Sequence, residues 1–136
     1  MKIALFTFLL LFTAVSCSEK TDSKKTEKQK TEKLTEIKNG RFTEWYPGKK
    51  QIKFQGMLTK KGQRTGKWTF YSESGNELSF TVYENGKREG FTVVKYPSGA
   101  IHYTGEYKND ETVGIWKTYD EKGKLITEKD FGYPEE

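Results

Sequence analysis

GKWTFYSESG (residues 66–75) and GIWKTYDEKG (residues 114–123) are one phrase written twice. Gly66, Trp68, Tyr71 and Gly75 of the first recur as Gly114, Trp116, Tyr119 and Gly123 of the second. Such a phrase is either half of a site or a unit of construction, and its surroundings decide which. Tyr46, Tyr71 and Tyr96 are spaced by 25 residues, with Tyr119 following after 23. Gly66, Gly90 and Gly114 are spaced by 24. A unit of about two dozen residues therefore occurs four times, near 40–65, 66–89, 90–113 and 114–136, the first opening at Gly40. The first and third units share a Tyr-Pro turn followed by Ile-x-aromatic-x-Gly: Ile52, Phe54, Gly56 and Ile101, Tyr103, Gly105. The second and fourth share the opening phrase. The pattern is that of a duplicated pair.

Each unit reads as two strands. Leu78, Phe80 and Val82 alternate with Glu77, Ser79 and Thr81, the period of a strand with one face covered. Asn85-Gly86 is a short-turn signal, because both residues tolerate positive φ. Pro47 and Pro97 fall at turns, where a missing N–H costs little. No stretch has apolar spacing of three and four over helical length. The expected fold is all-β: a single antiparallel meander sheet of about eight strands. Aliphatics are few and aromatics many, so the core is expected to consist of rings, with neighbouring units covering one another. Trp68 and Tyr71 are three apart. In a regular strand they point to opposite faces; a bulge is the alternative. The tyrosines are read first as tiling of the repeat, and second as an exposed binding surface.

The segment before the repeats is different in kind. MKIALFTFLLLFTAVS (1–16) has one charge, Lys2, then an apolar run shorter than a membrane-spanning helix. A charged start, a short apolar region and small residues predict a secretory signal peptide. The single cysteine, Cys17, follows at once. The Ala14-Val15-Ser16-Cys17 junction resembles the lipobox of bacterial lipoproteins, with leucine or another aliphatic more usual at the place of Ala14. The resemblance implies cleavage between Ser16 and Cys17 and lipidation of Cys17, hence anchoring in a lipid bilayer of the cell or outer membrane. Residues 17–38 are charge-rich with only two aliphatics, Leu34 and Ile37, and are expected to form a flexible tether. The repeat domain is then 39–136. The net charge of +5 is spread along the chain, which argues against a nucleic-acid surface.

The units built on Gly66, Trp68, Tyr71, Gly75, Tyr83, Asn85, Gly86, Lys87 and Gly90 resemble MORN repeats, specifically the bacterial variant; similar chains are often labelled as antitoxin components of the YwqK type. Phe42 and Thr92 stand where that variant has tryptophan. The resemblance implies a row of β-hairpins and contacts with proteins near membranes. It implies no catalysis.

The sequence offers no catalytic constellation either. His102, the only histidine, is expected on the polar face of a strand, pointing away from Ile101 and Tyr103. The pairs Asp110-Glu111 and Asp120-Glu121 fall at turns, where acids solvate and bond the backbone. No Cys/His cluster has metal-ligand spacing and no glycine-rich phosphate loop opens a helix. We therefore expect no enzyme, cofactor or metal. The first functional reading is a protein-binding or scaffold module at the bacterial envelope, partnered by another envelope protein. The alternatives are an antitoxin or immunity-like protein, and a module that stacks a glycan on exposed rings.

Overall fold

The computed structural model describes residues 33–135. The signal peptide, the Ser16–Cys17 junction and most of the tether lie outside them. The described chain forms one nine-stranded antiparallel sheet in strict chain order. Its strands are β1 (Thr35–Lys38), β2 (Arg41–Trp45), β3 (Ile52–Leu58), β4 (Arg64–Tyr71), β5 (Glu77–Glu84), β6 (Lys87–Lys95), β7 (Ile101–Lys108), β8 (Glu111–Tyr119) and β9 (Leu125–Asp130). The meander is as expected, with one strand more than eight. The addition is β1, in the segment expected to be tether. Its side chains are mostly exposed. What holds it is backbone pairing with β2, from Thr35↔Glu44 to Lys38↔Arg41, extended by a Trp45 N–H bond to the Leu34 carbonyl at 2.8 Å. Gly40, taken as the start of the first unit, is thus the tip of the β1–β2 hairpin.

Two kinds of turn alternate. At one end of the sheet, Asn39–Gly40, Asn85–Gly86 and Asn109–Asp110 each place two successive residues at positive φ, the geometry that matches the twist of a two-residue hairpin. The Thr59–Gln63 turn holds the corresponding place between β3 and β4. At the other end the turns are longer, and Gly75 and Gly123 donate to the carbonyls of Ser72 and Asp120. Asp120 Oδ1 accepts the N–H groups of Lys122 and Lys124, both at 2.9 Å. The Asp120-Glu121 pair is in this way a turn device.

The repeat is also a repeat of irregularities. Lys53, Leu78, His102 and Ile126 each have no partner on the preceding strand, where the register skips one residue. A second set centres on Gly66, Gly90 and Gly114, all at positive φ, where one residue of the preceding strand spans three. Leu78 is therefore not the first member of a regular alternation; it is the extra residue of a bulge. The bulge between Phe70 and Tyr71 is made by β5, so β4 keeps its own alternation. Trp68 and Phe70 lie on one face and Tyr71 on the other.

Direct partners share a face, and the register defines two unbroken rows across all nine strands. One runs Thr35–Glu44–Phe54–Phe70–Ser79–Val94–Tyr103–Thr118–Thr127. The other runs Glu36–Thr43–Gln55–Thr69–Phe80–Val93–Thr104–Lys117–Glu128 on the opposite side. The first is the ring face. Phe42 stacks on Phe54 (centroids 5.5 Å), Trp68 lies against both, and Tyr83 meets Trp68 edge-on at 6.3 Å. A second cluster joins Tyr103, Tyr107, Phe131 and Trp116. Between them, on β5 and β6, Thr81 and Thr92 share a hydroxyl bond of 2.8 Å.

Candidate functional site

The ring face has the materials of a stacking platform, but its rings are committed to one another. Trp68 is only 7% exposed, and its indole N–H donates to the Met57 carbonyl at 3.1 Å. Trp116 is half-buried and its indole N–H reaches the carbonyls of Val113 and Glu106. Burial pushes the Tyr103 phenol up. These side chains are the core of a single-layer sheet. The four repeat tyrosines are structural as well. Tyr46 donates to the Tyr71 carbonyl at 2.8 Å, and Tyr96 to the Tyr119 carbonyl at 2.9 Å, each tying one longer turn to the next. His102 is half-buried at its bulge with its ring 4.4 Å from that of Tyr96, not simply solvated as alternation suggested.

Apolar side chains also stand open on the opposite face. Phe91 on β6 and Ile115 on β8 each follow a bulge glycine, Gly90 and Gly114. The bulge projects them outward: they are 65% and 51% exposed. With Tyr133 they wall a shallow cavity of about 420 Å³ floored by Thr104 and Glu106 on β7. Tyr133 arrives from the C-terminal segment. That segment folds back over Gly114, with the Gly114 N–H on the Gly132 carbonyl (2.8 Å) and the Phe131 N–H on the Gly114 carbonyl (2.9 Å). The Tyr133 hydroxyl donates to Glu106 Oε2 at 2.7 Å, a bond that pushes the phenol's own ionisation up. Phe131 goes the other way, to the edge of Trp116 on the ring face. The last bulge is thus clasped from both faces.

Across β4, β5 and β6 the opposite face carries a charge network. Glu77 sits between Lys67 (3.1 Å) and Lys95 (3.3 Å). Partial burial pushes its carboxyl up, but the hydrogen bonds and charges of the two lysines prevail and hold it below the ordinary value. Lys67 also lies 4.3 Å from the Phe80 ring centroid. Beside this network the apolar pair Phe91–Ile115 has no covering element among the described residues.

Residues 112–131 match the MORN repeat variant. The matched stretch runs from Thr112 in β8 through the turn and β9 to Phe131, so the last hairpin is similar to a MORN repeat variant; the three hairpins before it repeat its second-strand bulge, and two of them its glycine bulge. No curated protein and no solved structure matches the chain. Within the MORN-like unit, Gly114 and Trp116 set the bulge and the ring of the core, and the place of Ile115 is held by Lys67 and Phe91 in the two units before. The sequence marked the repeat-defining glycines and aromatics. It did not mark Phe91 and Ile115, which do not resemble each other. Their only common signal is that each follows the glycine of its unit.

Proposed function

We propose that the chain is a non-enzymatic binding module of MORN-like hairpins, anchored at the bacterial envelope through lipidated Cys17, that docks another envelope protein on the Phe91–Ile115–Tyr133 patch. The observation that carries this reading is the exposure of Phe91 and Ile115 on one face, on either side of β7, where with Tyr133 they wall a single concavity. Contiguous apolar surface beside a concavity is where protein partners bind. The ring face supports a glycan platform less well, since Trp68 is buried, Trp116 half-buried, and both indole N–H groups are bonded to carbonyls.

The test is face-selective crosslinking. A photo-crosslinking residue at Ile115 is expected to capture a partner in intact envelopes, and one at Thr127, exposed on the ring face and away from Arg64, is not. Phe91→Asp, at an exposed position, is expected to keep the fold and abolish capture. Equal capture from both faces, or none from Ile115, would overturn the reading. Cys17→Ala is expected to move the protein out of the membrane fraction; unchanged fractionation would remove the anchor.

A further inference from the structure

Arg64 and Arg88 hold the same place in successive units, each two residues before its bulge glycine. Both lie over rings. The Arg64 guanidinium is 4.4 Å from the Trp68 ring and 5.2 Å from Tyr83, and that of Arg88 is 3.9 Å from Tyr107. Both receive the next turn in the same way: the Gly86 N–H donates to the Arg64 carbonyl (2.8 Å), and the Asp110 N–H to the Arg88 carbonyl (3.0 Å). The two turns have matching backbones, with φ of 49° and 87° at Asn85–Gly86 and 53° and 73° at Asn109–Asp110.

One thing differs. Asp110 carries a carboxylate, and its Oδ1 accepts both the Arg88 backbone N–H (2.9 Å) and Nε (3.1 Å). The Asp110 carbonyl takes Nη2 at 2.8 Å. Those bonds, the backbone one foremost, hold the Asp110 carboxyl below its usual range. At the equivalent position Gly86 has no side chain. Among the described residues the Arg64 side chain donates to the Tyr83 hydroxyl (3.2 Å) and forms no ion pair.

We propose that Arg64 is a receptor for a carboxylate side chain of an acidic peptide, which takes beside Arg64 the part that Asp110 plays beside Arg88. Arg64 also lines a cavity of about 120 Å³ with Trp68, Phe70, Ser79, Thr81 and Tyr83. That lining offers apolar walls for a side-chain stem and hydroxyls for its oxygens. A guanidinium already resting on rings is preorganised for such a bond. Lys60 and Lys61, in the Thr59–Gln63 turn at the same end of the sheet, favour a segment with more than one acid. Glu84, in register with Lys87 across its hairpin, forms no ion pair with Arg64 among the described residues. The site is on the ring face and does not depend on Phe91 or Ile115.

The repeat supplies its own controls. End-blocked hexaglutamate, titrated into the purified full-length protein and followed by calorimetry, is expected to bind one to one; hexaglutamine is not. Arg64→Gln is expected to weaken binding roughly tenfold or more, the weight of one charge-assisted bond. Gly86→Asp supplies the carboxylate in cis and is expected to block binding as well. The backbone at Asp110 shows that aspartate fits this turn, and a Cβ at Gly86 meets Gln63 at an ordinary 3.5 Å. Asp110→Gly is expected to open a second site and double the stoichiometry. Absence of hexaglutamate binding, or binding unchanged in both Arg64→Gln and Gly86→Asp, overturns the proposal. Loss of crosslinking at Ile115 with intact hexaglutamate binding would instead refute only the docking patch.

Discussion

The indole of Trp68 lies flat on the backbone of Gly56, so close that a Cβ there would fall 2.2 Å from the ring. Trp116 lies on Gly105 in the same way, also at 2.2 Å. In the unit between, Thr92 faces Thr81 and no such glycine is needed. Ring and glycine are one device: a large side chain on one strand and none on the next. Gly56→Ala and Gly105→Ala are each expected to cost about 1–3 kcal/mol, the range for overpacking. Gly56→Ala combined with Trp68→Thr is expected to lose less than the sum of the single changes. Thermal or denaturant melts check this, and strictly additive losses would refute the coupling.

The longer turns are tied together by Tyr46 and Tyr96. Tyr46→Phe and Tyr96→Phe each remove one hydroxyl bond to a carbonyl and nothing else. Each is expected to lower stability by about 1 kcal/mol. The denaturant midpoint should fall with its slope unchanged. An unmoved midpoint for both would show that water replaces these bonds without loss.

Glu77 makes stability depend on acid. Its folded pKa is depressed by Lys67 and Lys95 from the ordinary 4.5, against the opposing effect of burial. A depressed carboxyl stabilises the fold above its unfolded pKa, and that contribution is lost as pH falls through the folded value. Glu77→Gln is therefore expected to be less stable than the parent at neutral pH, and the difference is expected to shrink as pH drops below 4.5. A difference that stays constant from neutral to acid pH would assign the loss to packing and not to charge.

The C-terminal clasp is separable from the sheet. A chain ending at Asp130 loses two backbone bonds to Gly114, the Tyr133 hydroxyl bond to Glu106 and the contact of Phe131 with Trp116. At about 1 kcal/mol per bond, a loss of roughly 3 kcal/mol is expected, concentrated in β8 and β9. Hydrogen exchange of the Gly114 amide is the direct readout. Its protection should vanish while that of β4 and β5 persists. Uniform loss across the sheet would show instead that the clasp supports every unit.

The repeat and the hairpins were legible because each depends on residue type at a fixed spacing; the faces of Trp68 and Tyr71 were left between alternation and a bulge, which only the strand register decides. Glycine marks the bulge, Asn-Gly the turn, and alternation the face. β1 was not legible, because Thr35–Lys38 is held by main-chain pairing, which any side chain permits. The bulge set Lys53, Leu78, His102 and Ile126 left no trace for a related reason: the extra residue has no ring or partner to match, so its chemistry drifts. Gly56 and Gly105 were visible as repeat landmarks. That an indole lies on each was not, since the contact crosses between strands. The exposed pair Phe91 and Ile115 was hidden among other apolar residues until the bulges showed which way they point.

Every strand in this sheet is paired only with its neighbours in the chain, and nothing closes the first strand onto the last. Pulled from its two ends, the sheet would have no single bond row to shear. It would peel, hairpin by hairpin, each release about one unit long and each resisted by little more than its own ladder. The centre, around β5, would yield last. Such a chain behaves less like a bead than like a pleated ribbon, giving length under load and refolding from whatever pleat remains.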